Sequence, residues 1–598
     1  MRAEQHRRPV RVHPGGLGEL PGLPHPAQRP RPGDRHPAPE GDAAPHGRRA
    51  ALAQEVRLAQ PAGLLAEPPG ADEPHLPPGR RPVGDHARRR VLLRPEPQRA
   101  QGVRQGHGGV TVAEFRTAVD ELARELSGYV CEPGSAEYAK TVAIDNGRTR
   151  TPPALVVRAN SYPDVTHAIR FAQRTGLPLT VRGGGHSAAG YCLNRGGIVL
   201  DLGLMKAMTL DRAHRRLTVQ MGALWNDVYG YVDRAAAPLI PVGGGCLTVG
   251  LPGFLQGGGY SFVSRSYGLG SDNVTMIRLI DAAGELRTLT ADAPREEDRE
   301  LFWACRGGGG GNFGVAVEMT LQLHEPPAPT VLGGSLHYPL ERAEEVIAAY
   351  DTWAKDLPGA MAAYGFVGHE PDPAEPTRKI PVFRITPVHN GAYAEGAALL
   401  QPMLKLNPID VRLYSMPLPK LEMAIGRSTL VGDRLAYIRS GTIGESGWTP
   451  GMIKAVREAM TAAPSKDSFV VWTHGRGKVN DPALAGEGPY PHRDKRYVFE
   501  LKTIWDDPAD TRANVEWAVD LGESLKQDFH GAYVNYIDPL QERWATAYYG
   551  AENLAELRRI KKAADPDGFF RFQQSVDSDF EPDLSRPLDL SPLNRTLV

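Results

Sequence analysis

The chain has 598 residues, 41% of them apolar and 23% charged, with a formal net charge of -1. That length exceeds the needs of one core, so two or more domains are expected. The near-neutral balance argues against a dedicated nucleic-acid or membrane-surface binder. Cys131, Cys192, Cys246 and Cys305 are too scattered for a disulfide framework. They form no C-x-x-C pair, so no metal is expected. No apolar stretch is long enough to span a bilayer. The first residues, MRAEQHRRPVRVHPGG, are basic without an apolar core, so no secretory signal is expected and the cytoplasm is the default compartment.

Residues 1–109 are crowded with Arg, Pro, His and Gly, lack aromatic residues and sustain no apolar period. Such a segment cannot bury enough apolar surface to offset ordering, so disorder is expected. Its texture is also that of a wrongly extended reading frame in a GC-rich gene, with Val110 or Val112 as the true start. Residues 110–148 read as an amphipathic helix, a turn at Glu132-Pro133-Gly134 and a short irregular or helical piece.

From residue 149 strands alternate with helices to about residue 326. PALVVRA is a strand. SYPDVTHAIRFAQRTG is a helix with Val165, Ile169 and Ala172 on one face and Gly176 as its stop. LPLTVRGGGHS is a strand running into a glycine loop, GGIVLDL and RLTVQMG are strands, and LWNDVYGYVDRA is a helix. The linker PPAPT leads into residues 327–530. There, strand signals (LGGSLHYPL, PVFRITPV, FVVWTHGRG, YVFELKTIW) and amphipathic helices predict an antiparallel sheet covered by helices on one side. The whole is expected to be α+β.

Four glycine clusters, Gly183–Gly185, Gly243–Gly245, Gly257–Gly259 and Gly307–Gly311, stand within one predicted domain. Glycine loses more backbone entropy on folding than any other residue. Repeated clusters beside His186 and Cys246 therefore point to close approach of backbone N–H groups to a phosphate. None is a P-loop, and RGGGHS lacks the G-x-G-x-x-G spacing of a Rossmann turn.

RGGGHS, followed by IVLDL and VQMGALWNDV, resembles the pyrophosphate loop of the vanillyl alcohol oxidase / p-cresol methylhydroxylase (PCMH) flavoproteins. PVGGGCLTVGLPGFLQGGGYSFVSRSYGLGSDNV and the later GAYVNYIDP resemble segments of the berberine-bridge-enzyme-like branch. The resemblance covers residues 149–577. It implies a PCMH-type FAD-binding domain over 149–326, a substrate domain over 327–530 and a closing segment over 531–598. Leu251-Pro252-Gly253 departs from that pattern where the family has a glycine-rich turn.

The resemblance implies FAD as cofactor, bonded through His186 to the flavin 8α-methyl and through the Cys246 sulfur to C6. A double tether would make the flavin a stronger oxidant and leave its substrate side open. Arg182, Gly183, Gly184, Gly185 and Ser187 would hold the pyrophosphate. Gly245, Thr248, Val249, Gly250, Gly258, Tyr260, Gly268, Asp272 and Asn273 would line the flavin. Gly314 and Val315 would meet its adenine side or ring, and Asn535 and Tyr536 would close over the isoalloxazine. As catalytic base, Tyr533 comes first and His474 second, with Tyr536 beside them. Trp472 stands where relatives offer a second acid.

The implied activity is oxidation of an alcohol, sugar hemiacetal or amine-type carbon, with O2 as acceptor giving H2O2. A dehydrogenase with another acceptor, or a flavoprotein that sequesters a redox-active metabolite, stays open. The expected partners are a small-molecule substrate and O2, with neither nucleic acid nor membrane.

Overall fold

The computed structural model describes residues 112–149, 151–235, 238–426 and 434–582. The expectations for residues 1–109 lie outside the described residues. From Thr117 the chain is one unit built around three sheets.

The first sheet holds β1 (Tyr129–Cys131), β2 (Leu155–Arg158), β3 (Leu179–Arg182) and β4 (Ile198–Asp201), in the order β1-β2-β4-β3. β2 and β3 both run parallel to β4, and β1 is an antiparallel edge. All four residues of β4 are buried, as befits a parallel strand covered on both faces. The helix Tyr162–Thr175 crosses from β2 to β3. Ser161 caps its start by accepting the Asp164 N–H, and Gly176, left-handed at φ 66°, ends it. The predicted face of Val165, Ile169 and Ala172 is the buried one.

The second sheet is antiparallel: β5 (Met208–Asp211), β6 (Arg216–Gln220), β7 (Val274–Ile280), β8 (Leu286–Leu289) and β9 (Val315–Gln322), ordered β5-β6-β9-β7-β8. The third has seven antiparallel strands. They are β10 (Val331–Pro339), β11 (Met361–Pro371), β12 (Lys379–His389), β13 (Asp410–Met416), β14 (Leu435–Ile443), β15 (Phe469–His474) and β16 (Tyr497–Trp505). Their order is β13-β10-β12-β11-β15-β16-β14.

Helices Ala343–Lys355, Pro450–Thr461 and Thr511–Ser524 cover one face of this third sheet. Strand parity decides what meets them. Tyr497, Phe499, Leu501 and Trp505 of β16, with Val470 and Trp472 of β15, enter the core under the helices. Val498, Glu500 and Lys502 therefore face the other way, toward the first two sheets. The α+β architecture and the helix-covered antiparallel sheet are as the sequence predicts, although β11, β13 and β14 carry no distinct signal of their own.

The last helix, Ala551–Ala564, returns to pack on helix Glu296–Ala304. Its Lys561 is buried. The ammonium donates to the carbonyls of Asn312 (2.7 Å) and Phe570 (2.6 Å) and pairs with Asp565 at 2.5 Å.

Candidate functional site

The RGGGHS loop leaves the carboxyl end of β3, the end of a parallel strand where ligands settle in open α/β sheets. Its glycines have a steric reason. A Cβ on Gly184 would stand 2.3 Å from the Gly250 nitrogen, and one on Gly250 would stand 2.3 Å from the Gly184 nitrogen. The two loops thus touch backbone to backbone. Arg182 anchors the base of its loop by donating to Asp201 at 2.7 Å. Ser187 caps a local turn, its hydroxyl accepting the Tyr191 N–H. The second loop is pinned from the start of helix Trp225–Arg234, where the N–H groups of Trp225 and Asn226 donate to the carbonyls of Val249 and Leu247.

This contact brings His186 and Cys246 together. The hydroxyl of Thr248 lies 3.0 Å from His186 Nε2 and 3.7 Å from Cys246 Sγ. Burial holds the His186 pKa below its ordinary value, against the pull of Asp145, so the imidazole is neutral at pH 7 with a lone pair available. Burial also raises the Cys246 pKa, partly opposed by hydrogen bonds from Thr248.

Two further groups at this point carry no motif. Asp145, 5% exposed, donates its N–H to the Gly185 carbonyl at 2.9 Å. Its carboxylate stands 3.8 Å from His186 Nδ1 and accepts from Lys502 Nζ at 2.8 Å. Burial pulls the Lys502 pKa down, but Asp145 and Glu500 outweigh it and the net shift is upward.

A buried aromatic group of Tyr260, Tyr490 and Tyr533, with Tyr536 packed against it, forms the neighbouring wall. The Tyr533 hydroxyl accepts the Gly259 N–H at 2.7 Å and the Asn535 amide at 2.9 Å, and burial pushes its pKa above the ordinary value. It is a strut holding the Gly257–Gly259 turn, to which Asn535 also ties Phe254. Tyr536 packs edge-on against Tyr533 at 5.1 Å. Burial and the Glu500 charge both raise its pKa.

His474, the second candidate base, is not part of this group. It shares the parity of Val470 and Trp472, is 1% exposed, and lies 3.1 Å from the Arg265 guanidinium. Burial and the charges of Arg265 and Arg496 hold it neutral. Trp472 is a core residue: its indole lies 2.1 Å from where a Cβ on Gly365 would be.

Several predicted flavin-lining residues are braced by the protein itself. Asp272 forms a two-pronged pair with Arg493 at 2.6 and 3.0 Å. The Asn273 amide donates to the carbonyls of Tyr267 and Leu269, and the Tyr260 hydroxyl lies 3.1 Å from that of Tyr490. Gly258, Gly268 and Gly314 sit at φ 122°, 84° and 150°, and Val315 opens β9. Among the described residues no cluster of His, Cys, Asp and Glu fits a metal ion, and no helix is long and apolar enough to cross a membrane.

The donor set fits a flavin. A glycine loop at a strand end, a neutral imidazole and a thiol converge on one threonine hydroxyl. A family model described as FAD binding domain matches residues 153–290, and one described as Berberine and berberine like matches residues 532–577. The uncharacterized FAD-linked oxidoreductase YgaK of Bacillus subtilis is 28% identical over 76% of this chain and 97% of its own length. (R)-6-hydroxynicotine oxidase of Paenarthrobacter nicotinovorans is 38% identical over a shorter stretch, 36% of this chain and 45% of that one. The structure of Physcomitrella patens BBE-like 1 superposes with a TM-score of 0.69 at 22% identity, covering 77% of this chain and 98% of that one. The protein is an FAD-linked oxidoreductase. It belongs to the berberine-bridge-enzyme-like family, with a PCMH-type FAD-binding domain and the berberine-like C-terminal region.

Proposed function

We propose that this chain is an oxidase whose FAD is bonded to both His186 and Cys246, and that it oxidises an alcohol, hemiacetal or amine-type carbon with O2. One observation carries the double tether: the Thr248 hydroxyl within 3.0 Å of the imidazole and 3.7 Å of the sulfur. The two flavin positions involved, the 8α-methyl and C6, lie on the same benzenoid edge, so their protein partners must be neighbours.

FAD supplies the two-electron acceptor. The chain supplies the proton chemistry. Glu500, whose charge acts on Tyr536, is the base: Tyr536 faces the donor and Glu500 takes up the proton that leaves its hydroxyl or amine. The pair replaces Tyr533 and His474, whose hydroxyl and ring are committed to structural contacts. Lys502, two residues along the same face of β16, sets a positive charge near the tether end.

The test is direct. The purified protein is denatured in acid and the polypeptide examined for flavin. Full retention, reduced to one bond in either His186→Ala or Cys246→Ala, is expected, and release of all flavin as free FAD overturns the double tether. H2O2 release on a panel of alcohols, sugars and amines separates the oxidase from a dehydrogenase. Reduction of the flavin without H2O2 overturns the acceptor.

A further inference from the structure

The Asp145–Lys502 pair is not explained by the glycine loops or by the base. Asp145 comes from the segment ahead of β2, and Lys502 reaches it from the substrate-domain sheet. A nearly buried ion pair is poor value for stability, because desolvating both charges cancels most of their attraction. Apolar residues of similar volume would pack this junction as well. This pair is aimed, however. Its carboxylate is 3.8 Å from the His186 nitrogen that Thr248 leaves free, and its backbone N–H holds the carbonyl just before His186. Its ammonium donates to the Asp145 carboxylate at 2.8 Å and so fixes the direction from which that carboxylate meets His186.

We propose that Asp145 and Lys502 are positioning residues for attachment of the flavin to His186: Asp145 orients the imidazole and receives its ring proton, and Lys502 holds the Asp145 carboxylate in place. This rests on the covalent reading above. At His186 the ring N–H and one C–H of the 8α-methyl break, and an N–C bond forms. Two electrons and two protons pass to the flavin ring, and dioxygen removes them as H2O2. At Cys246 the S–H and the C6–H break and an S–C bond forms; two further electrons and two further protons pass to the ring, and a second dioxygen removes them as H2O2. Asp145 and Lys502 are regenerated in the first step.

The experiment isolates each bond. Full-length Cys246→Ala protein carries only the histidine bond, and full-length His186→Ala only the cysteine bond. Each is stripped of flavin by growth under riboflavin limitation and then given FAD in air. Non-covalent binding is read from flavin absorbance, and attachment from acid-stable flavin fluorescence on the polypeptide over time. Asp145→Asn should slow attachment in the Cys246→Ala protein at least tenfold while FAD still binds, and Asp145→Glu should recover part of the rate. Lys502→Met should slow attachment at least tenfold in the same Cys246→Ala protein, with partial recovery in Lys502→Arg. Attachment at the parental rate overturns the proposal. So does loss of FAD binding in step with attachment, which marks a purely structural pair. Complete release of flavin from the unsubstituted protein by acid defeats the covalent reading itself and is told apart by that control.

Discussion

Gly184→Ala puts the loop-to-loop contact on trial. The added Cβ would lie 2.3 Å from the Gly250 nitrogen and 2.7 Å from its Cα, and neither is the end of a flexible side chain that can swing away. One loop must therefore shift by about 1 Å, and overpacking of this kind costs roughly 1–3 kcal/mol. The cost should appear as a fall of about 1–3 °C in the midpoint of thermal unfolding. The functional effect should be larger. Thr248 rides on the Gly250 loop and touches His186 at 3.0 Å, and a 1 Å misplacement of reacting groups costs on the order of 100-fold. The assay is the rate at which added FAD becomes acid-stable on the polypeptide, measured beside the unfolding midpoint. A variant with the parental midpoint and the parental attachment rate would refute the argument that this contact sets the His186–Cys246 geometry.

Glu500→Gln should lower kcat by about 100-fold to 10,000-fold with the fold intact, since it removes the proton acceptor, and Tyr536→Phe should act on the same step. Steady-state turnover and circular dichroism together check both. Glu422 is fully buried with no hydrogen-bond partner for either carboxylate oxygen, and burial raises its pKa to about 8. The folded state thus holds a proton that the unfolded chain releases near pH 4.5, so stability should fall as pH rises from about 4.5 to 8 and then level off. Glu422→Gln should remove that slope and be the more stable protein at pH 9 by a few kcal/mol, read from urea midpoints at pH 6 and pH 9. Lys561→Met leaves Asp565 buried without its cation and should cost about 3–5 kcal/mol in the same assay, by the logic of a broken buried pair.

The FAD-binding half of the site was legible because its chemistry is local. RGGGHS and GGGCLTVG announce themselves by glycines that no other residue can replace, and the steric contact of Gly184 with Gly250 is the reason. Thr248 was named with its loop, although its bridging of histidine and sulfur emerges only in three dimensions. Asp145 and Lys502 were not legible. Asp145 stands in VAIDNGRT, a segment without period or motif, and is recruited by a contact 357 residues away. The strands β11, β13 and β14 escaped for a related reason. Their sequences mix glycine, arginine and aromatics, and pairing with neighbours rather than intrinsic preference makes them strands.

The proposed base rests on strand parity, which the sequence does display. In YVFELKTIW the large apolar residues Tyr497, Phe499, Leu501 and Trp505 occupy one face, and Glu500 and Lys502 interrupt the other. Two charged residues at i and i+2 on a strand enclosed on both sides must meet something that compensates them, because an unpaired buried charge is costly. Lys502 meets Asp145 at 2.8 Å, and the Glu500 charge acts on Tyr536, raising its pKa. In FVVWTH the same rule assigns Val470, Trp472 and His474 to the helix side, which removes His474 from the cleft however basic its ring. A histidine drew attention by its type, whereas Glu500 is marked only by its alternation with aromatics. In a sheet covered by helices on one face, the polar residue that breaks the uncovered alternation is the better guide to the site.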